Sequence, residues 1–296
     1  MTTYLQHKNS PENSPEKKIT FVLVVKGPRD WSNAQYVLLR SLARRFEITG
    51  LHELLVIAPG ADLQAMRRYF YGDPSLEPLH FLARFMDEQR VCNGWNCAGA
   101  GGYNLQMLLK LLAAFQVKTP AYCTLDADVY LARNCGYAGL CPGGLLLWQR
   151  ENKEYHAAWW KEAGRILNHP GTENPVFGVT PALLHTQITR QLVMCLNAAY
   201  NNDLGHVLDM GRGATEYTLY WTYVLKYHNW RMYYNSAGPV IYGDCIWHRM
   251  DDEQVRSQLR LQAEKRRLPG PEYFFSVLQS NTGLDGKNFL KELELT

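Results

Sequence analysis

Two aspartates one residue apart, Asp126 and Asp128, follow a short apolar stretch that ends at Leu125. The stretch predicts a buried strand, because it is apolar and bounded by turn residues. Carboxylates at the end of a buried strand are costly to desolvate unless a positive charge lies beside them. The carboxyl edge of an open α/β sheet is also where ligands bind. A divalent cation meets both conditions, since Mg²⁺ and Mn²⁺ prefer oxygen ligands and share their coordination with phosphates. The acid pair therefore predicts a metal site that binds a diphosphate, although the triplet by itself is more typical of a solvated turn.

The helix that precedes this strand carries a second set of polar side chains. Tyr103, Gln106 and Lys110 are spaced i, i+3, i+7, so they share one face of a helix whose strongest periodicity covers residues 104–115. An ammonium at this position would offset phosphate charge. The more common alternative is a lysine on a solvated surface.

Apolar runs alternate with amphipathic segments along most of the chain. This alternation predicts an α/β protein with a mostly parallel central sheet and right-handed crossovers. Proline in the first turn also favours a helix over residues 181–199. The main predicted strands cover residues 19–25, 54–58, 79–85, 119–125, 240–247 and 273–279, and later helices cover residues 181–199 and 215–227. No linker or repeat divides the chain, so a single domain, residues 19–296, is predicted after a disordered tail of residues 1–18.

Composition excludes several classes of protein. The 296 residues carry a net charge of +3, too small to indicate a nucleic-acid partner. Seven cysteines without a C-x-x-C pair favour free thiols in a reducing compartment over a zinc site. No run approaches the roughly 18 apolar residues of a membrane span, and the polar start is unlike a signal peptide. We therefore expect a cytoplasmic protein without an integral membrane segment.

Two motifs together resemble the GT-A-type glycosyltransferases. They are the pattern G-Y-x-x-Q-x-x-x-K in residues 102–110 and Leu-Asp-Ala-Asp in residues 125–128. The resemblance covers roughly residues 20–279, and its order of elements agrees with the predicted sheet. Met107 stands where such sequences usually carry a second glutamine, which weakens any role for that position. The resemblance implies a nucleotide-binding half of about residues 19–148 and an acceptor half of about residues 149–296.

The resemblance also implies which residues bind a nucleoside-diphosphate sugar, UDP-sugar above all. Asp128 would bind Mn²⁺ or Mg²⁺ directly, and Asp126 would reach the metal or the ribose. Val25, Lys26 and Gly27 would lie against the base and ribose, with an ordinary strand end as the alternative. The full donor-binding set is Val25, Lys26, Gly27, Tyr103, Gln106, Lys110, Asp126, Ala127, Asp128 and Gly178.

A histidine near the C-terminus often completes the metal site in these enzymes. His248 is the candidate, because it follows a late apolar strand that could return to the sheet edge. Imidazole suits Mn²⁺ better than Mg²⁺. The alternative is a histidine without a ligand role.

An inverting sugar transfer needs a carboxylate that takes the proton of the acceptor hydroxyl. Glu216, in the first turn of a predicted helix, is the candidate base, and Asp209 is the reserve. The helix dipole favours an anion at Glu216 in any case, which is the structural alternative. Gly178 would line the sugar pocket, since a residue without a side chain permits close approach of a ring.

Other enzyme classes fit less well. A haloacid-dehalogenase-like phosphatase needs Thr where Tyr130 stands and carries its motif after the first strand. A sugar nucleotidyltransferase shares the fold, the metal and the acid pair, but needs a richer glycine and basic loop than residues 26–29 offer. A sugar-binding module has no need of metal-binding acids. The sequence thus predicts a metal-dependent, hexosyltransferase-like glycosyltransferase that joins a nucleotide-sugar donor to a carbohydrate or glycoconjugate acceptor, with inversion.

Overall fold

The computed structural model describes residues 17–151, 156–169, 177–210, 213–235, 237, 239–265, 273–279 and 285–295, without the side chains of residues 209, 210, 290, 294 and 295. The predicted tail therefore lies outside the described residues, except for Lys17 and Lys18.

The described part of the chain contains eight β-strands in two sheets. They are β1 (Ile19–Val24), β2 (Leu51–Ala58), β3 (Ala83–Asp87), β4 (Ala121–Leu125), β5 (Val129–Leu131), β6 (Ala182–His185), β7 (Val240–Tyr242) and β8 (Tyr273–Val277). The large sheet has the order β3-β2-β1-β4-β6, and the small sheet has the order β5-β8-β7. The first four strands of the large sheet are parallel, and β6 is antiparallel to β4.

Strand β1 lies in the middle of the large sheet because its residues are apolar on both faces. All six of its side chains are buried, as expected for a parallel strand covered by helices on either side. Leu23 of β1 lies opposite Leu125 of β4. The ends of these two strands therefore meet at one edge of the sheet.

Helices cover the sheet and connect its strands. They are α1 (Pro28–Asn33), α2 (Arg40–Arg45), α3 (Leu63–Gly72), α4 (Glu88–Cys92), α5 (Gly102–Leu112), α6 (Tyr137–Leu140), α7 (Ala157–Ile166), α8 (Thr186–Ala199), α9 (Leu204–Met210), α10 (Glu216–Tyr227), α11 (Asp252–Lys265) and α12 (Leu290–Leu295). A π-helical segment, Ala34–Leu39, joins α1 to α2. The predicted α/β architecture with a mostly parallel sheet is confirmed, and within the described residues no helix is long and apolar enough to cross a membrane.

The helix predicted over residues 181–199 is wrong in its first turn. Residues Ala182–His185 form β6 instead, and α8 begins at Thr186. Leu183 and Leu184 are buried against β4, where pairing with that strand satisfies their backbone. The gain from extending the sheet thus overrides the preference for proline at the start of a helix. The predicted strand at residues 79–85 is also displaced, since β3 begins at Ala83.

The small sheet continues directly from the acid pair. β5 starts one residue after Asp128 and pairs with β8, which in turn pairs with β7. Beyond β8, the backbone N–H of Leu278 donates to the carbonyl oxygen of Asp128 at 2.8 Å. The late part of the chain therefore returns to the carboxyl edge of the large sheet. One hydrophobic core includes residues of β1, α10 and β8.

Candidate functional site

The acid pair lies in the tight connection between β4 and β5. The backbone N–H of Val129 donates to the carbonyl oxygen of Asp126 at 3.2 Å, which closes the turn. Asp128 is buried, whereas 25% of the Asp126 side chain is exposed. The two acids therefore differ in solvent exposure. Asp126 is the more exposed one, and Ala127 between them is buried.

Lys110 of α5 reaches the acid pair from inside the protein. Its Nζ lies 2.6 Å from Oδ1 of Asp126 and 2.8 Å from Oε1 of Glu216, and it donates to the hydroxyl of Tyr217 at 3.2 Å. An ammonium has three N–H donors, so these three oxygens can occupy all of them. The solvated lysine expected as the more common alternative is wrong, since the side chain is 3% exposed.

The two carboxylates decide the charge state of Lys110. Burial alone would lower the pKa of the ammonium, but Asp126 and Glu216 outweigh burial and hold this pKa well above its ordinary value. Burial raises the pKa of Glu216, and the ion pair with Lys110 opposes that rise. One cation therefore contacts two carboxylates, which leaves an excess of negative charge in the cluster.

Tyr217 extends this cluster to the sheet. Its hydroxyl lies 3.2 Å from Oγ1 of Thr124, and Thr124 donates to the carbonyl oxygen of Ala182 at 3.2 Å. Since Thr124 donates to the carbonyl, the Tyr217 hydroxyl is the donor to Thr124. The resulting chain of hydrogen bonds joins α5, α10 and the ends of β4 and β6.

Gln106 fixes α5 on the first strand. Its Nε2 donates to the carbonyl oxygen of Val24 at 3.1 Å, and the side chain is buried. Tyr122 of β4 also donates its hydroxyl proton to the carbonyl oxygen of Lys110 at 3.0 Å. The described contacts of Gln106 are thus with the protein backbone, and they position the helix that carries Lys110.

An exposed aromatic surface lies beside the acid pair. Nζ of Lys26 lies 5.2 Å from the ring centroid of Tyr103, and both residues are exposed. Val25 is buried, and its N–H donates to Ile57 at 2.9 Å, while Gly27 precedes α1. Because the ends of β1 and β4 meet at this edge, the structure brings the predicted base-binding residues and the acid pair to one side of the sheet.

Among the described residues, His248 is not grouped with the two aspartates. Within the described residues, no group of three or more His, Cys, Asp or Glu side chains is placed to hold a metal ion. The main chain does return as expected, since Ile246 pairs with Leu278 next to Asp128, but the His248 side chain is exposed. The two aspartates alone offer the carboxylate oxygens that Mg²⁺ and Mn²⁺ prefer, and the partial exposure of Asp126 fits such an ion.

Glu216 is engaged in contacts inside the protein. Its side chain is 2% exposed and forms an ion pair with Lys110, which also contacts Asp126. Thr215 caps α10, because its side chain accepts a hydrogen bond from the N–H of Thr218. This geometry gives Glu216 contacts within the protein and does not favour the predicted role as base. The reserve candidate, Asp209, belongs to α9, which packs against α5, and its side chain lies outside the described residues.

Gly178 lies in a separate cluster. A Cβ at this position would meet the hydroxyl of Tyr242 and come within 2.6 Å of Cγ of Gln149. The N–H of Gly178 donates to the carbonyl oxygen of Gln149 at 2.7 Å. The space around Gly178 that the sequence assigns to a sugar ring is therefore filled by protein side chains.

A partly buried carboxylate, Glu151, belongs to the same cluster. It accepts a short hydrogen bond from the hydroxyl of Tyr242, which itself accepts from the N–H of Val179 at 3.2 Å. Nε2 of His156 lies 3.8 Å from Oε2 of Glu151. Burial raises the pKa of Glu151 to about 7, so this carboxyl titrates near neutral pH.

The sequence profile of a family of unknown function, DUF6492, matches residues 16–295. The chain belongs to the DUF6492 family. Among curated proteins, none matches the sequence.

Solved structures identify the fold of this DUF6492 protein. Mouse xyloside xylosyltransferase 1 in its apo form is 13% identical with a TM-score of 0.51, and the match covers 90% of this chain and 99% of that chain. An active-site mutant of LgtC is 11% identical with a TM-score of 0.46, over 93% and 95% of the two chains. The apo WbbM bifunctional glycosyltransferase is 9% identical with a TM-score of 0.43, over 67% of this chain and 38% of that chain. The likeness to the mouse protein shows a GT-A-like α/β fold.

Sequence reasoning on the DUF6492 chain does not single out several residues of these clusters. Tyr217 directly follows Glu216, so its position in the first turn of a capped helix is a signal that could have identified it. No comparable signal joins Glu151 to Tyr242, because these residues are 91 positions apart in the sequence.

Proposed function

We propose that this protein is a metal-dependent glycosyltransferase that transfers a sugar from a UDP-sugar to a hydroxyl group of a carbohydrate or glycoconjugate. The supporting observation is the arrangement at the carboxyl edge of the sheet. There, Asp126 and Asp128 follow β4, beside the exposed pair Lys26 and Tyr103. The GT-A-like fold carries its ligands at this edge, in accord with the general rule for open α/β sheets.

Asp126 and Asp128 are the residues that would hold Mn²⁺ or Mg²⁺. Lys110 neutralises only part of the charge of Asp126 and Glu216, so a further cation at Asp126 would be electrostatically favourable. A bound divalent ion would supply Lewis-acid stabilisation of the leaving diphosphate.

The remaining residues of the edge have binding or positioning roles in this proposal. Tyr103 offers an exposed ring on which a base can stack, and Lys26 supplies positive charge beside it. Lys110 contacts Asp126, Glu216 and Tyr217, and these contacts hold the acid pair in place. Gln106 fixes the start of α5 against β1.

A thermal-shift experiment tests the proposal directly. The wild-type protein is heated with UDP, GDP, UDP-glucose, UDP-galactose, UDP-xylose or GDP-mannose, each with MnCl₂ or with EDTA. Because a ligand that binds only the folded state stabilises it in proportion to the logarithm of its concentration over Kd, a donor nucleotide should raise Tm when Mn²⁺ is present. EDTA should remove most of that increase.

Two variants make the test specific for the acid pair. Asp128→Asn should fold and lose the Mn²⁺-dependent shift, whereas Glu264→Gln, which removes an exposed carboxylate of α11, should keep it. An Asp128→Asn protein that retains the full shift contradicts the metal assignment. Release of pyrophosphate from a nucleoside triphosphate and a sugar phosphate would indicate a nucleotidyltransferase, and metal-dependent hydrolysis of a simple phosphate ester would indicate a phosphatase.

A further inference from the structure

Glu151 is held in a cluster that the donor-binding edge does not use. Its Oε1 accepts a hydrogen bond from the Tyr242 hydroxyl, and its Oε2 is buried 3.8 Å from Nε2 of His156. Within the described residues, no hydrogen-bond donor reaches Oε2. A buried carboxylate oxygen without a donor is costly, which is typical of a group that is completed by a ligand.

The cluster is connected to the acid pair through two strands. Ala182 of the antiparallel strand β6 lies opposite Thr124, so the chain before Ala182, which includes Val179, continues beyond the carboxyl end of β4. Tyr242 lies on β7, which is separated by β8 from β5, the strand that begins directly after Asp128. Tyr242 contacts both Val179 and Glu151, so the carboxylate lies where these two segments of the chain meet.

Further aromatic rings lie beside the two side chains nearest this carboxylate, His156 and Tyr242. The His156 and Trp159 rings are stacked, with centroids 4.0 Å apart and planes inclined by 5°. Trp247 is 38% exposed, and its ring centroid lies 6.4 Å from that of Tyr242. Flat aromatic faces beside a hydrogen-bonding carboxylate are suited to a sugar ring, which presents apolar C–H faces and hydroxyl edges.

We infer that Glu151 is the group that binds the acceptor hydroxyl and takes its proton, with Tyr242 as the residue that positions it. This inference rests on the proposed glycosyltransferase function. Glu151 then takes the role of base. Glu216 is less suited to that role because it is buried in an ion pair with Lys110.

The proposed step balances within the reactants. The acceptor oxygen forms a bond to the anomeric carbon of the donor, the bond from that carbon to the diphosphate oxygen breaks, and the diphosphate leaves with the bonding electron pair. The hydroxyl proton passes to the carboxylate of Glu151. No oxidant, reductant or further reactant is required.

The environment of Glu151 suits proton transfer near neutral pH. Burial raises its pKa to about 7, and the groups that face it are the Tyr242 hydroxyl, the His156 imidazole and the Cys245 thiol. Burial lowers the pKa of His156, which keeps the imidazole neutral beside the carboxyl. A general base is most effective when its pKa lies near the working pH.

Donor turnover in the wild-type protein and in matched variants tests the inference. The assay measures UDP release from UDP-glucose, UDP-galactose and UDP-xylose with MnCl₂, in water alone and with a panel of p-nitrophenyl glycosides as acceptors. Glu151→Gln should lower turnover by about 100-fold or more and leave the Mn²⁺-dependent thermal shift with UDP unchanged. Glu264→Gln is the matched control, since it removes an exposed carboxylate from α11.

Tyr242→Phe provides a readout that a structural role would not change. Loss of the hydroxyl removes a hydrogen bond to the charged form of Glu151, so the ascending limb of the pH–rate profile should move to higher pH while activity persists above it. If Glu151→Gln does not fold, the pH–rate profile of Tyr242→Phe tests the inference by itself.

The outcomes distinguish an error in the role of Glu151 from an error in the proposed function. If the wild-type protein binds UDP with Mn²⁺ and releases UDP from a donor, but Glu151→Gln retains turnover within a few-fold, or the Tyr242→Phe limb does not move, the inference on Glu151 is wrong and the proposed function stands. If the wild-type protein neither binds nor turns over any of these nucleotide-sugars, both are overturned.

Discussion

Nζ of Lys110 lies 2.8 Å from Oε1 of Glu216, although the two residues are 106 positions apart. Both side chains are buried, one on α5 and the other at the start of α10. Because Asp126 contacts the same ammonium, the ion pair connects two helices to the carboxyl end of β4. The position of the acid pair therefore depends on a lysine that a ligand need not contact.

Lys110→Met should destabilise the protein strongly. Removal of the ammonium leaves the carboxylates of Asp126 and Glu216 without their cation, and loss of one partner of a buried ion pair typically costs about 3–5 kcal/mol. Urea denaturation measures the change. Lys118→Met, at an exposed lysine, is the control and should change stability by less than about 0.5 kcal/mol.

The double variant Lys110→Met/Glu216→Gln separates charge from packing. The neutral glutamine side chain removes one of the two uncompensated carboxylates, so the double variant should be more stable than Lys110→Met alone. The double-mutant cycle should give a coupling of about 1–3 kcal/mol. Additive effects would show that the 2.8 Å contact contributes little to stability.

Tyr103→Ala should weaken UDP binding and leave the fold intact. Tyr103 is 54% exposed beside Lys26, and loss of base–aromatic stacking typically costs about 1–3 kcal/mol. Isothermal titration with UDP and MnCl₂ measures the change, and Tyr103→Phe should retain most of the affinity. Tyr69→Ala, at a ring that is 60% exposed on α3, is the control. Equal affinities for the two alanine variants would place the base elsewhere.

The sequence predicted the parallel strands of the large sheet and the location of the acid pair because both depend on local patterns. Runs of buried apolar residues define β1 and β4 without reference to the rest of the chain, and parallel strands place their carboxyl ends at one edge. The shared helix face of Gln106 and Lys110 was equally visible from spacing. The alternative of a lysine on a solvated surface was wrong, because the partner of Lys110, Glu216, lies in α10, far along the chain.

The second cluster could not be predicted for the same physical reason. Gly178, Gln149 and Tyr242 come from three segments that meet through the antiparallel strand β6 and the small sheet. The sequence indicated a helix where β6 forms. It therefore did not predict the pairing of β6 with β4 that brings these residues together. The importance of Gly178 was recognised, but the group that approaches it is a tyrosine of the protein.

Gly178→Ala should therefore disturb the protein locally. Its Cβ would come within 2.6 Å of Gln149 and against the hydroxyl of Tyr242, and overpacking of this kind typically costs about 1–3 kcal/mol. Thermal denaturation measures the loss. Gly72→Ala is the matched control, because a Cβ at Gly72 meets nothing within 4 Å, and it should be neutral or slightly stabilising. If both variants melt alike, the close contact of Gly178 with Tyr242 is incorrect.

Glu151→Gln should make the protein more stable at high pH than at low pH, relative to wild type. Burial raises the pKa of Glu151 from an ordinary value of 4.5 to about 7. Between these values the unfolded carboxyl loses its proton first, so the wild-type protein loses stability as the pH rises and the loss is complete above about pH 7. The glutamine carries no charge at any pH and avoids this loss.

The expected size follows from the pKa shift. The change from 4.5 to about 7 corresponds to about 3 kcal/mol, because each unit of pKa difference is about 1.4 kcal/mol. Urea denaturation at pH 5, 6, 7 and 8 should thus show an advantage of Glu151→Gln over wild type that grows across the series. Glu264→Gln should show no such trend, since its carboxylate is exposed. A constant difference between Glu151→Gln and wild type from pH 5 to pH 8 would mean that Glu151 ionises as freely in the folded protein as in the unfolded chain.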